Sequence, residues 1–236
     1  MSREPSLSDY KAVLFDVDGT LVDSMDKIVN GLGDALQHFT NTRPPDQEIR
    51  QLIGLPLSIQ FKRYAKTEPT RAELDDMIRY TISRYEYHHD LERVFEPAIE
   101  ALKLCHKAGL KTALVTSKNA QEMDLFFSRF VGRDYVDATV CASDVSKPKP
   151  DPECVKRACE LLAVSPDEAL LVGDAIFDMQ SARAAGVTPV AVAYGSVPAS
   201  VLSQENPSMI LETPEDLLAW TRRSLLQPTC PERNRP

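Results

Sequence analysis

The stretch Phe15-Asp16-Val17-Asp18-Gly19-Thr20 decides how the chain is organised. It follows Lys11-Ala12-Val13-Leu14, an apolar run that is typical of a buried strand. Two carboxylates, those of Asp16 and Asp18, therefore stand where that strand should end, and Gly19 then turns the chain. Open parallel sheets bind their ligands at the carboxyl ends of the strands. The stretch therefore places two acids at the usual position of a functional site.

Composition limits the kinds of protein that this chain can be. Its 236 residues suffice for one domain, or for a domain with an inserted subdomain. The net charge of −8 does not favour nucleic acid or an anionic membrane as a partner. No apolar run is long enough to span a membrane, and the first residues lack the apolar core of a signal peptide. The five cysteines show neither a disulfide framework nor metal-ligand spacing, so we expect reduced thiols in a cytoplasmic protein.

Apolar runs alternate with helical segments along most of the chain. After the first strand, the sequence predicts strands at Lys111–Val115, Val136–Cys141, Ala169–Val172, Pro189–Ala193 and Met209–Leu211. Strands that alternate with crossover helices form a parallel sheet with helices on both faces. The predicted fold is therefore α/β, with a Rossmann-like, doubly wound parallel sheet. The tail at residues 228–236 is rich in proline and charge, and we expect it to be disordered.

Residues 25–90, called the helical insert below, differ in character from the rest. They contain few β-branched runs, and Ile28, Leu32 and Leu36 recur at helical spacing. Helix packing alone accounts for most of these apolar residues. We predict an all-α subdomain inserted into a core made of residues 1–24 and 91–236.

Polar side chains follow two more of the predicted strands and occupy one long loop. Thr116 and Ser117 follow the second strand, and Asp174 and Asp178 follow the fourth. The loop Lys147-Pro148-Lys149-Pro150-Asp151-Pro152 is held extended by its prolines. Each motif also has an ordinary structural interpretation. Thr116 could be a helix N-cap, Asp178 could be an acid in the first turn of a helix, and the loop could be a solvated basic segment.

Taken together and in this order, the four motifs resemble those of the haloacid dehalogenase superfamily, whose phosphatases use an aspartate nucleophile. The resemblance covers nearly all of residues 11–220 and implies that Asp16 attacks phosphorus while Asp18 is the general acid and base. Elementary chemistry agrees with these roles. A carboxylate with a pKa of about 3.9 is ionised at neutral pH and needs no base to activate it. A phosphate ester is anionic, so the attack requires a cation such as Mg²⁺.

The same resemblance assigns groups that would bind the phosphate. Gly19 would let backbone N–H groups approach it, and Thr116 and Ser117 would hold its oxygens. A lysine before Pro-x-Pro would neutralise the nucleophile and the phosphate together, and Lys147 matches that position. Lys149 is the competing choice for this role.

The resemblance also implies a magnesium site. Mg²⁺ prefers hard oxygen ligands. Here these would be the side chains of Asp16 and Asp174 and the backbone carbonyl of Asp18. Asp178 would act from outside this shell, through water or by orienting Lys147.

The helical insert lies where the superfamily's helical-cap branch carries its cap. Within it, Ile53-Gly54-Leu55-Pro56-Leu57 resembles a loop of phosphoglycolate-phosphatase-like members. The related sugar-phosphate mutases carry a histidine where Ile28 stands. We therefore expect a Mg²⁺-dependent, phosphoglycolate-phosphatase-like enzyme that hydrolyses a small phosphorylated metabolite through an aspartyl-phosphate, as a monomer or homodimer. A β-phosphoglucomutase-like enzyme and an inactive binding or regulatory protein remain the alternatives.

Overall fold

Strands and helices alternate along the computed structural model, which describes residues 4–65 and 67–226. In this described part the strands are β1 (Ala12–Phe15), β2 (Val22–Asp23), β3 (Arg93–Val94), β4 (Lys111–Val115), β5 (Ala138–Val140), β6 (Ala169–Gly173), β7 (Thr188–Val192) and β8 (Met209–Leu211). The α-helices are α1 (Met25–Thr40), α2 (Asp46–Arg50), α3 (Leu57–Tyr64), α4 (Arg71–Tyr87), α5 (Glu96–Lys107), α6 (Ala120–Phe127), α7 (Glu153–Leu162), α8 (Ile176–Ala185), α9 (Ala199–Leu202) and α10 (Pro214–Leu226). The tail predicted to be disordered lies outside the described residues.

Six of the described strands form one parallel sheet in the spatial order β5-β4-β1-β6-β7-β8. The predicted α/β fold with a doubly wound parallel sheet is therefore confirmed. Strand β1 lies inside the sheet, paired with β4 on one side and β6 on the other. This pairing brings the two acids that follow β1 beside the ends of both neighbouring strands.

Alternate residues of β1 enter two separate hydrophobic cores, one on each face of the sheet. Val13 and Phe15 pack with α5, α6 and α10, whereas Ala12 and Leu14 pack with α7 and α8. All four side chains are buried, because helices cover both faces of a parallel sheet. Strand β1 therefore has no solvent-facing residue, and its sequence is a continuous apolar run.

The helical insert begins and ends at a short antiparallel pair that the sequence analysis did not predict. Val22 pairs with Val94, and Asp23 pairs with Arg93. Between these strands, helices α1 to α4 pack around their own apolar cluster, which contains Leu32 and Leu36. The apolar residues of α1 therefore serve packing, as expected for most of them. The division into two subdomains at these residues stays a prediction.

Two expectations from composition concern cysteines and membrane spans. The four cysteines in the described residues are buried and free, and Cys230 lies outside them. No helix in the described part has both the length and the apolar character that crossing a membrane requires.

Candidate active site

The carboxyl ends of three neighbouring strands meet at a cavity of about 40 Å³. Asp16 and Asp18 follow β1, Thr116 follows β4 and Asp174 follows β6, and all four line this cavity. Lys149 reaches the same cavity from the loop before α7. The structure therefore brings most of the predicted site residues together, because strand order places the ends of β4, β1 and β6 side by side.

Three carboxylates form a compact acidic cluster beside the cavity. Asp16, Asp174 and Asp178 each offer an oxygen, and these oxygens lie within 4.8 Å of one another. Thr20 donates a hydrogen bond from its hydroxyl to Asp174 Oδ1 at 3.2 Å, and the Ser196 N–H donates to Oδ2 at 2.6 Å. Asp174 is thus held in a fixed orientation within the cluster.

Glycines make room for this cluster. Gly19 has a φ of 77°, in the left-handed region, and a Cβ there would lie 2.2 Å from Asp174 Oδ2. A Cβ on Gly195 would lie 2.3 Å from the same oxygen. Any side chain at these positions would displace Asp174. The predicted role of Gly19 was access to the phosphate, whereas the structure shows that it first makes room for a carboxylate.

Lys149 is the lysine that reaches the acidic cluster. Its Nζ donates to Asp16 Oδ1 at 2.9 Å, to Asp178 Oδ1 at 2.5 Å and to the Val115 carbonyl at 2.6 Å. The residue is only 3% exposed, so its ammonium is fully engaged by these acceptors. Lys149 therefore has the position that the role of neutralising the nucleophile requires.

The structure does not bring Lys147, the lysine chosen from the sequence, to the acidic cluster. Its side chain is exposed, and its backbone N–H donates to Glu153 Oε2 at 2.9 Å. Glu153 also accepts hydrogen bonds from the backbone and hydroxyl of Ser146. This carboxylate at the start of α7 fixes the first part of the loop at the surface, and the chain turns inward only at Lys149.

Asp178 orients the lysine. Its Oδ1 accepts from Lys149, and its Oδ2 accepts from the Ala175 N–H at 3.0 Å. Both oxygens are therefore engaged by protein donors. Asp178 was expected to orient Lys147, and in the structure the lysine that it contacts is Lys149.

Asp18 has a cationic partner that the sequence analysis missed. Lys118 Nζ lies 2.9 Å from Oδ1 and 2.7 Å from Oδ2 of Asp18, and the Ser24 hydroxyl donates to Oδ1 at 2.5 Å. Burial alone would raise the pKa of Asp18, but the ammonium groups of Lys118 and Lys27 and these hydrogen bonds lower that pKa overall. Lys118 directly follows Thr116-Ser117, and no sequence pattern indicates that its ammonium turns back to Asp18.

The acids of the cluster carry more negative charge than Lys149 balances. Burial raises the pKa of Asp16 well above its usual value; Lys149 opposes the shift, and Asp178 and Asp174 add to it. Burial and then the charge of Asp178 raise the pKa of Asp174 to about 7. Crowded carboxylates whose ionised forms are disfavoured suit a hard divalent cation, which would restore the charge balance.

Thr116 and Ser117 differ in what they contact. Thr116 is buried at the cavity, and its Oγ1 accepts from the Lys118 N–H at 3.2 Å. Ser117 donates from its hydroxyl to the Gly54 carbonyl of the helical insert at 2.6 Å. The Ser117 hydroxyl, predicted to bind phosphate, lines the cavity and links the core to the insert in this structure.

The helical insert covers the cavity with mainly apolar side chains. The insert residues that line it are Ile28, Ile53, Gly54, Leu55, Leu57, Gln60 and Tyr85. The loop that resembles the phosphoglycolate-phosphatase loop thus lies at the site. Gln60 and Tyr85 were not predicted, because single polar residues within apolar helical stripes give no signal of their own.

The fold and the site together define a class of protein: an α/β enzyme with an aspartate-based site suited to phosphoryl transfer. A family model for haloacid dehalogenase-like hydrolases matches residues 13–192. The chain belongs to this family and is a phosphatase of it, which acts on small phosphorylated compounds.

Similar proteins are known from several bacteria. A putative pyrophosphatase PpaX of Clostridium perfringens is 32% identical over 88% of this chain and 95% of its own length. The pyrophosphatase PpaX of Bacillus velezensis is 32% identical over 89% of this chain and 95% of its own. Among solved structures, a hydrolase from Pseudomonas syringae superimposes with a TM-score of 0.80 at 26% identity, covering 91% of this chain and 98% of that one.

Proposed function

We propose that this enzyme hydrolyses inorganic pyrophosphate through an aspartyl-phosphate at Asp16, with Mg²⁺ as its cofactor. The observation that carries the proposal is a pair of lysines at one small cavity. Lys149 contacts Asp16, and Lys118 contacts Asp18. Lys149 thus offsets the negative charge of the nucleophile, and Lys118 places a second positive charge at Asp18, on the side where an anionic leaving group would depart.

The residues of the acidic cluster fit Mg²⁺. Asp16 and Asp174 would hold the ion with side-chain oxygens and Asp18 with its carbonyl, while Asp178 stays bound to Lys149. Gly19 and Gly195 leave the room that the Asp174 carboxylate needs to take this position. When bound, Mg²⁺ supplies the positive charge that lets an anionic phosphate approach a carboxylate.

Asp16 starts the reaction by attacking phosphorus, and the bond to the bridging oxygen breaks with its electron pair leaving on phosphate. Lys149 offsets the charge at Asp16. Phosphate, unlike an alkoxide, is a good leaving group without a proton from the enzyme. Asp18, kept ionised by Lys118, then accepts a proton from water as the water oxygen attacks phosphorus. The bond between phosphorus and Asp16 breaks with its electron pair returning to the carboxylate, and phosphate is released.

The relatives support this substrate. Curated relatives at 32% identity over most of the chain are named as pyrophosphatases. Solved structures named as putative phosphoglycolate phosphatases share the fold at 22% and 23% identity.

Ile28 argues against a mutase. It lines the cavity at the position where the resemblance places a histidine in sugar-phosphate mutases, and isoleucine cannot transfer protons. A solved structure named as a putative β-phosphoglucomutase superimposes with a TM-score of 0.75 at 24% identity, a likeness of fold alone.

The test is a substrate panel with Mg²⁺ or with a chelator. We expect kcat/KM for pyrophosphate to exceed that for phosphoglycolate and β-glucose 1-phosphate, activity to require Mg²⁺, and Asp16→Asn to abolish it. A clear preference for phosphoglycolate would disprove the proposed substrate. Steady formation of glucose 6-phosphate would support the mutase alternative, and a parent enzyme inactive on every substrate would support a binding role.

A further inference from the structure

Two polar side chains of the helical insert line the active-site cavity without a full set of hydrogen bonds to the described residues. Gln60 is 4% exposed, and its Nε2 donates to the Leu55 carbonyl at 2.5 Å. Because an oxygen in that place would face another acceptor, this contact fixes the orientation of the amide. Its Oε1 has no hydrogen-bond partner in the part of the chain that the structure describes.

Tyr85 is the second such side chain. It is also 4% exposed and lines the cavity, and its hydroxyl makes no hydrogen bond to any group of the described residues. The ring packs against Gly31, where a Cβ would lie 2.4 Å from ring atom Cδ1. Phenylalanine would fill the same space, so packing explains the ring but not the hydroxyl.

Buried polar atoms normally have partners, so Gln60 Oε1, which has none among the described residues, requires an explanation; the Tyr85 hydroxyl is not fully buried. Both side chains line the cavity together with Lys118, the cation placed above on the leaving-group side. Burial, with the nearby charges of Glu122 and Asp18, raises the pKa of Tyr85, so its hydroxyl is a hydrogen-bond donor at neutral pH. The cavity thus offers an acceptor from α3 and a donor from α4.

We propose that Gln60 and Tyr85 determine substrate specificity by binding the leaving group, with the Tyr85 hydroxyl donating to it and Gln60 Oε1 accepting from it. This inference rests on the proposed function. A phosphate leaving group that carries a proton offers both acceptor oxygens and a P–OH donor. The carboxylate of phosphoglycolate offers acceptors alone and would leave Gln60 without a partner.

The test compares two substrates across four variants of the full chain. Tyr85→Phe and Gln60→Leu remove the proposed contacts. Tyr87→Phe, on the same helix at 68% exposure, and Gln51→Leu, at an exposed position, are the matched controls. Each protein is assayed with pyrophosphate and with an aryl phosphate, whose leaving group carries no second phosphate, and its melting temperature is measured.

We expect Tyr85→Phe and Gln60→Leu each to lower kcat/KM for pyrophosphate about tenfold or more, as for a hydrogen bond to a charged group. The aryl phosphate should lose much less, the controls should behave like the parent, and Tm should change little. Equal losses on both substrates, with or without a fall in Tm, would overturn the inference, since a purely structural role affects both alike.

If the proposed function is wrong, the expected result differs from a failure of the specificity proposal alone. In that case the parent enzyme turns over the aryl phosphate but does not prefer pyrophosphate. The same variants are then compared on the best substrate of the panel. If Tyr85→Phe and Gln60→Leu lowered kcat/KM more for that substrate than for the aryl phosphate, Gln60 and Tyr85 would be supported as specificity residues. Pyrophosphate would be rejected as the substrate. No difference would overturn both proposals.

Discussion

Among single residues, the most consequential contact is the one between Lys149 and the nucleophile. Lys149 bridges Asp16 and Asp178 in a buried site, so each carboxylate depends on the same ammonium. Removing one partner of a buried ion pair leaves an uncompensated charge, which is more costly than losing an exposed pair. The loop supplies a natural comparison, because the exposed Lys147 stands two residues earlier.

We predict that Lys149→Met lowers kcat by about 10²–10³-fold, as expected when one group that stabilises transition-state charge is lost. Lys147→Met should stay within about twofold of the parent, as exposed substitutions usually do. Steady-state kinetics on one substrate checks both, and circular dichroism shows whether each variant is folded. A large loss in Lys147→Met with a folded, active Lys149→Met would restore the original assignment.

The sequence predicted which residue types gather at the site but not every partner. Asp16, Asp18 and Asp174 follow strands, and strand order alone brings them together. A lysine is different, because its long side chain can reach in several directions from a loop. Whether Lys147 or Lys149 turns inward depends on the Glu153 hydrogen bonds, and Lys118 reaches Asp18 across 100 residues of sequence.

At the scale of secondary-structure elements, the turns after β1 and α5 can be compared directly, because each contains a glycine with the same backbone conformation. Gly19, after β1, and Gly109, after α5, both have positive φ, of 77° and 88°. A Cβ on Gly19 would lie 2.2 Å from an Asp174 oxygen, whereas a Cβ on Gly109 would meet nothing within 4 Å. The two glycines share a left-handed backbone conformation, which is strained only for a residue with a Cβ, and they differ in their surroundings.

We predict that Gly19→Ala and Gly109→Ala each lose about 1–2 kcal/mol of unfolding free energy from the left-handed backbone alone. Only Gly19→Ala should also lose most of its activity, because its methyl group displaces Asp174. Urea unfolding and kcat/KM measured on both variants separate the two effects. Unchanged kcat/KM in Gly19→Ala would show that Asp174 does not need this space.

The bounds of a strand could be predicted from the sequence where the strand is buried along most of its length. Strand β4 has the predicted bounds, because strands inside a parallel sheet are apolar on both faces and end at polar residues. Strands β2 and β3 have two residues each, which is too short for any periodic pattern. Their pairing depends on residues far apart in sequence, so only the folded chain shows it.

At the scale of the whole molecule, the site is made by two parts of the chain. The core supplies the acids and lysines, and the helical insert covers them and supplies Gln60 and Tyr85. The Ser117 hydroxyl joins the two parts through the Gly54 carbonyl, and Lys27 of the insert forms an ion pair with Glu92. A ligand that fills the cavity should therefore stabilise both parts together.

We predict that Mg²⁺ together with beryllofluoride, a mimic of the phosphoryl group, raises Tm by roughly 5–10 °C. A ligand at 100 times its Kd adds about 2.7 kcal/mol, and each kcal/mol raises Tm by about 2–4 °C for a chain of this size. The pair mimics a phosphorylated Asp16, so Asp16→Asn should lose the increase while Lys147→Met keeps it. Differential scanning calorimetry measures all three proteins. If the same rise occurred in Asp16→Asn, binding would not depend on the nucleophile, and an aspartyl-phosphate at Asp16 would lose its support.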